Sequence, residues 1–247
     1  MNTFNPFSLE GKTILVTGAS SGIGRSIAVT CSKMGAKMVL NGRNEQKLQE
    51  TLSMMEDDEH VILSGDLTNH EALISIVDQI PKLDGVVHCA GILFRMLAKQ
   101  VTQEDFDKMM EINTKAPILL QSHLLQKKKL NRYASIVFIT SLGADIPNIG
   151  NGLYAASKGA LISYTNCLMP ELAPKQIRVN CISPAMVWTD LALDNMVTEE
   201  ELKLDEQRYP LKRYGTPEDI AYLTVYMLSD VSSWMTGSNV KITGGLK

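Results

Sequence analysis

Tyr154 and Lys158, in the stretch YAASK (154–158), stand four residues apart in a segment that reads as a helix. Four residues is just over one turn, so the two side chains project side by side from one face. Such a pair is either a solvated surface contact or a catalytic unit. A free phenol has a pKa of ~10, and a lysine cation nearby favours the phenolate by ~1–3 units. The motif is short, and the rest of the chain has to decide.

A second stretch with chemistry is TGASSGIG, Thr17 to Gly24, which follows directly on the apolar run KTILV. Gly18 permits a tight turn there, Gly22 lets backbone approach a pyrophosphate, and Gly24 allows close helix packing. The N-terminus of the following helix offers free N–H groups and a partial positive charge to phosphates. At the end of the second apolar run, LNGRN has no acid at Asn41 or Gly42 and then Arg43. A carboxylate there would bind a ribose 2′-hydroxyl, whereas a guanidinium suits a 2′-phosphate, so the sequence favours NADP(H) over NAD(H). An exposed loop arginine is the plain alternative for Arg43, and a solvated helix arginine for Arg25. Asp66, in GDLT, either accepts from an adenine amino group or caps the next turn. HCAG (88–91) puts small residues where a cofactor needs room, or where strands pack closely.

The elements that must carry these groups alternate along the chain. Seven apolar runs, at 12–18, 37–41, 60–66, 84–91, 134–141, 177–183 and 238–245, read as strands apolar on both faces, as buried parallel strands are. Helical patterns lie between them. TPEDI offers Thr216 as N-cap with Pro217 first and Asp219 third, TQEDF begins a helix at 102–106, and a further one runs over 69–80 before Pro81. Repeated strand–helix–strand units predict right-handed crossovers and a doubly wound α/β fold with helices on both faces of a parallel sheet. No linker or repeat interrupts it, so residues 1–247 read as one domain.

Composition narrows the function classes. Of 247 residues, 45% are hydrophobic and 21% charged, and the formal net charge is −3, which favours neither nucleic acid nor an anionic membrane. The basic run Lys127–Lys129 reads as a solvated helix end. No signal peptide or membrane span is expected, and Cys31, Cys89, Cys167 and Cys181 lack the spacing of a metal site or disulfide framework. The expectation is a cytoplasmic protein without metal.

Taken together, the glycine turn, HCAG, Asn113, Ser141 and YAASK resemble the short-chain dehydrogenase/reductase family over essentially the whole chain. Ser141 lies thirteen residues before Tyr154, and Asn113 twenty-eight before Ser141, as that family's pattern has them. The resemblance implies a seven-stranded Rossmann-type domain and an oxidoreductase that interconverts a carbonyl and a secondary alcohol. It implies Tyr154 as proton donor or acceptor, Lys158 as its support and a hold on the nicotinamide ribose, Ser141 on the substrate oxygen, and Asn113 holding a water against the lysine. It implies cofactor contacts at Gly18, Ser20, Ser21, Gly22, Ile23 and Gly24, at Arg43, Asp66, Leu67, Ala90 and Gly91, and at Tyr154, Lys158, Pro184, Val187 and Thr189. The family's substrate pocket maps onto Leu93, Phe94, Ile146, Leu153, Met186, Trp188 and the helix that follows, a mostly apolar set that points to a lipid-like or medium-sized organic substrate.

Cys89, Ala185 and Thr243 depart from the family pattern, which commonly has asparagine, glycine and aspartate there; none removes a catalytic group. Within the family, length, glycine turn and Arg43 loop most resemble bacterial 3-oxoacyl-acyl-carrier-protein reductases. That implies an acyl-carrier protein as substrate carrier, docked near Arg132 and Lys175, and a homotetramer. A sugar derivative, steroid or other secondary alcohol stands as the alternative substrate, and a silent NADP-binding regulatory subunit as the remote one.

Overall fold

The computed structural model describes residues 4–57, 59–189 and 198–246. All seven expected strands form: β1 Thr13–Thr17, β2 Lys37–Gly42, β3 Val61–Ser64, β4 Leu83–His88, β5 Leu130–Ile139, β6 Arg178–Pro184 and β7 Asn239–Ile242. They make one sheet in the order β3-β2-β1-β4-β5-β6-β7, parallel at every pairing. The order reverses between β1 and β4, and a doubly wound sheet opens a crevice at its carboxyl edge at such a point.

Side chains alternate between two cores. Leu15 packs on one face with α3 (His70–Gln79), α5 (Ala116–Gln126) and α6 (Gly152–Leu172). Ile14 and Val16 pack on the other with α1 (Gly22–Lys33), α2 (Glu45–Leu52) and a late helix, Pro217–Leu228. The expectation of burial on both faces fails for the edge strands. Val61 and Ser64 of β3 are exposed, and β7 is nowhere fully buried, because an edge has a neighbour on one side alone. Strand β5 begins four residues earlier than the apolar pattern suggested. The β4–β5 register shifts between Leu83 and Gly85, and Tyr133 takes φ +69°, so the polar start of β5 pairs past an irregularity that alternation cannot show.

The helix starts follow their caps. Asn69 accepts from Ala72 N, Thr102 from Asp105 N, and Asp219 reaches back to Thr216 N at 2.8 Å. Between α4 (Gln103–Met110) and α5, residues Glu111–Lys115 form a π turn that carries Asn113. The Lys127–Lys129 run does follow a helix end, but it is bonded rather than merely solvated. Lys127 pairs with Asp78 at 2.8 Å, and Lys129 Nζ donates to Ile80 O. No helix among the described residues is long and apolar enough to cross a membrane.

His88, at the end of β4, is 2% exposed and stacks on Phe138 with ring centroids 4.5 Å apart. Burial pushes its pKa down to about 4, with the Gln121 amide acting weakly the other way. Between the ordinary 6.5 and 4 the unfolded chain binds a proton that the folded one refuses, so stability falls as pH drops through that window. His88→Leu should therefore lose less stability than the parent between pH 6.5 and 4, by up to about 3 kcal/mol in urea unfolding.

Candidate active site

The carboxyl ends of β1 to β6 open on one cleft of about 770 Å³. Its first wall is the turn after β1. Gly18 has φ +70°, and a Cβ there would lie 2.9 Å from Ala90 Cα; a Cβ on Gly24 would lie 2.2 Å from Gly18 O. Neither position admits a side chain, which is the close packing expected of these glycines. Ser21 is the N-cap of α1 but makes no side-chain capping bond, so the first-turn N–H groups face the cleft without a side-chain acceptor. That arrangement fits a pyrophosphate. Thr17 Oγ1 takes the amides of Cys89 and Ala90, at 3.0 and 3.1 Å, and thereby ties the turns after β1 and β4 together.

The far wall explains the missing acid after β2. Asn41 is buried and donates to Leu63 O at 2.9 Å, a bond that a carboxylate would turn into repulsion. A Cβ on Gly42 would crowd Leu48 and Ser20 at 3.3 and 3.4 Å. Arg43 lines the cleft, with no ion pair or hydrogen bond among the described residues, and Lys47, not singled out in the sequence, lines it too. Its signal was positional: the N-cap Asn44 places Lys47 in the first turn of α2, beside the loop after β2. Arg25 is not a solvated arginine. It donates to Ser20 O at 2.6 Å and pairs with Glu50 at 3.0 Å, bracing the glycine turn from behind. Asp66 caps the next turn through Oδ1, which accepts from Thr68 N and Oγ1, and it also lines the cleft.

All sixteen positions expected to touch the cofactor lie on this cleft, Pro184, Val187 and Thr189 among them. Of the catalytic four, Ser141, Tyr154 and Lys158 line it. Asn113 stands behind, wholly buried. Its Oδ1 accepts from Ile92 N at 2.8 Å and its Nδ2 donates to Ile92 O and Ser157 Oγ. A Cβ on Gly91 would sit 3.1 Å from Asn113 Oδ1 and 3.2 Å from Lys158 Nζ, so backbone fills the space between them. Ser141 Oγ accepts from Gly143 N at 3.1 Å.

The electrostatics differ from the expectation. Burial pushes the Tyr154 phenol up, against a smaller opposing effect of the Ser141 hydroxyl. Burial also pushes Lys158 down to about 8, and its Nζ donates to Ile139 O at 3.0 Å. Burial, rather than Lys158, is the main influence on Tyr154 here, and it disfavours the phenolate. Cys89 lies close enough to act on both, and burial holds its own thiol up at about 12.

At the substrate end the apolar expectation holds in part. Leu93, Ile146 and Met186 line the cleft, while Phe94, Leu153 and Trp188 do not. Trp188 instead packs on Tyr214 and donates to Glu206 at 2.7 Å, in a small core with Tyr209 and Leu202. The segment that follows Thr189, part of the expected pocket, lies outside the described residues. Arg95, Asn148, Asn151 and Arg208 make this end mixed in polarity. Their loops have no period, which is why pattern reading passed over them. Ala185 continues the β6–β7 pairing through Ile242 O at 2.9 Å, and Thr243 follows directly on β7. Arg132 and Lys175 do not join the cleft: they stand just inside β5 and before β6, at the sheet's opposite edge from Ser141.

A family model described as enoyl-(acyl carrier protein) reductase matches residues 18–247. The chain belongs to the short-chain dehydrogenase/reductase family. It is an oxidoreductase of the CH–OH/C=O pair. A 3-oxoacyl-[acyl-carrier-protein] reductase of Rickettsia felis is 37% identical over 96% of this chain and 98% of that protein. An L-xylulose reductase of Caenorhabditis elegans is 34% identical over 97% of each. A dehydrogenase/reductase from Sinorhizobium meliloti superposes with TM-score 0.89 at 31% identity, over 97% of this chain and 96% of that one. The fold of this dehydrogenase/reductase is thus that of its relatives.

Buried Lys158 should cost the fold stability. Its ammonium is disfavoured below pH 8, and the cost fades as pH rises toward the ordinary 10.5, where both states lose the proton. Lys158→Met should therefore raise stability at pH 7, by up to about 3 kcal/mol less the lost hydrogen bond, with the gain vanishing above pH 10. Paired urea titrations at pH 7 and 10 measure it.

Proposed function

We propose that this chain is an NADP(H)-dependent carbonyl reductase with Tyr154 as proton donor. The observation that carries the reading is Tyr154 standing with Ser141 and Lys158 on one cleft whose far wall holds Arg43 and Lys47. A bound nicotinamide supplies the hydride. The α1 N-terminus holds the pyrophosphate, and the two cations meet the 2′-phosphate, with no acid at 41 or 42 to oppose it. Ser141, oriented by Gly143 N–H, donates to the substrate oxygen and opposes its developing charge. Tyr154 then delivers its proton to that oxygen as general acid. Lys158 holds the nicotinamide ribose, and Asn113 fixes the backbone at Ile92 beside it.

The likeness to carrier-protein reductases supports a 3-oxoacyl thioester as acceptor, and a homotetramer is proposed as the working form. Arg132 and Lys175 are not in the cleft lining, so a carrier that docks on them does so outside the cleft itself. The mixed polarity of the substrate end, and the xylulose-reducing relative, support a hydroxylated ketone as the second reading.

Tyr154→Phe should lower carbonyl reduction at least a thousandfold while NADPH binding, read by fluorescence, changes less than threefold; retained turnover would remove the proton-donor role. Arg43→Ala combined with Lys47→Ala should weaken NADPH at least tenfold and NADH less than threefold. Equal losses would overturn the assignment of Arg43 and Lys47 to the 2′-phosphate and with it the NADP(H) reading. In the reverse direction, oxidation should rise steadily with pH above 7, because the raised Tyr154 has to lose its proton first.

A further inference from the structure

The cleft is charged opposite to the chain that forms it. The formal net charge of the chain is −3, yet among the described residues the cleft lining sets Arg43, Lys47, Arg95, Lys158 and Arg208 against Asp66. A cleft lined by one sign of charge between low-dielectric walls concentrates ligands of the other sign. In the proposed function Arg43 and Lys47 meet the 2′-phosphate, and Lys158 holds the ribose. Arg95 and Arg208 have no such task, and both stand at the substrate end.

Arg95 lies in the loop after β4, and that loop is held against the approach to α6. Met96 N donates to Gly150 O at 2.9 Å, and a Cβ built on Gly150 would meet Arg95 Cβ at 3.7 Å. Gly150 precedes Tyr154 by four residues, so Arg95 shares a wall with the proton donor. It is exposed, and it makes no ion pair or hydrogen bond through its side chain among the described residues. Arg208 follows the helix Glu199–Glu206. Its Nη1 donates to Asp205 Oδ1 at 2.8 Å, while its side chain stays 74% exposed. The Tyr214 hydroxyl donates to the other oxygen of Asp205, so this carboxylate is fixed and aims the guanidinium, leaving most of its N–H donors over. Two neighbouring acids are engaged elsewhere: Glu206 accepts from Trp188 Nε1 and Tyr214 N, and Asp145 pairs with Lys241 at 3.0 Å. Arg95 thus brings the uncompensated charge, and Arg208 brings oriented donors whose charge Asp205 partly offsets.

We propose that Arg95 and Arg208 bind an anionic group that the acceptor carries away from its reacting carbonyl. The inference rests on the carbonyl-reductase reading and names the substrate class as an anion. Two sources share that chemistry: the carboxylate of an oxo acid, and a phosphate on the arm of a carried thioester. A guanidinium takes either through paired N–H donors. Anchoring the anion leaves the carbonyl less freedom to lose as it meets Tyr154 and Ser141. A neutral ketone gains nothing from either arginine.

The test uses two matched pairs of acceptors at saturating NADPH: S-acetoacetylpantetheine with its 4′-phosphate, and methyl 5-oxohexanoate with 5-oxohexanoate. The parent should favour the anionic member of one pair at least tenfold in kcat/KM, mainly through KM, and that pair names the source. Arg95→Gln should cut the preference below threefold, and Arg208→Gln should cut it by a smaller factor. Arg95→Lys, which keeps the charge, should recover part of it, and added salt should erode it in the parent. The melting temperature of Arg95→Gln should match the parent's, since the side chain is exposed and bonds to nothing among the described residues. Equal kcat/KM within both pairs, or a preference that Arg95→Gln leaves intact, would make these arginines solvated loop residues and overturn the proposal. If the parent turns over none of the four compounds, the reductase reading falls, and calorimetric binding of the four to the protein with oxidised NADP decides the inference alone. It stands if an anionic member binds more tightly than its neutral partner and Arg95→Gln removes the difference. It falls if either fails.

Discussion

A single buried charge organises the catalytic end of this molecule. Lys158 is 5% exposed, and its ammonium survives there on one backbone acceptor, Ile139 O, at the last residue of β5. Burial of a cation is costly, and the surroundings are arranged to hold it rather than to solvate it. A Cβ on Gly91 would crowd Lys158 Nζ and Asn113 Oδ1 at 3.2 and 3.1 Å, so a side chain there would press on both. Asn113 must reach back to Ile92 from a helix, and the π turn at Glu111–Lys115 supplies the extra residue that aims it there. Strand end, glycine, π turn and the α6 face are thus four consequences of placing one ammonium beside one phenol.

The helix N-termini show where the fold gives up stability. Those of α2, α3, α4 and the late helix at 217–228 are capped by Asn44, Asn69, Thr102 and the Thr216–Asp219 pair. The helix Glu199–Glu206 is capped by Thr198. Ser21 and Asn151 are of capping type as well, yet neither side chain caps its helix. Both open on the cleft. The α5 start at Lys115 also lacks a side-chain cap because it runs on from the π turn, so among the described α-helices Ser21 and Asn151 are the capping-type residues left without a capping bond.

Much of this was legible in the residues, and the limits have physical reasons. The seven strands announced themselves because buried parallel strands are continuous apolar runs, and the glycine turn because only glycine survives 2.2 Å from a carbonyl oxygen. Helix starts at 69, 102 and 216 were readable from caps, which are local chemistry. Arg25 was misread because its partners, Ser20 O and Glu50, lie on another turn and another helix. Lys47, Asn148 and Asn151 were missed because a cleft is lined by whatever loops the topology gathers, with no period to betray them. The effect of Lys158 on Tyr154 was misjudged for a different reason. Spacing along a helix reports proximity, whereas the proton affinity of a buried phenol follows its desolvation, which only the packed structure fixes.

That desolvation bears on the direction of the chemistry. A phenol lowered by a neighbouring cation would be poised to remove a proton from an alcohol. A phenol raised by burial keeps its proton to higher pH, so at neutral pH fewer molecules hold the phenolate that oxidation needs. The two shifts come from one cause, the dryness of the cleft floor, and they act in the same sense. The same burial therefore raises the cost of the Lys158 ammonium and the cost of a Tyr154 phenolate, and a more hydrated floor would lower both.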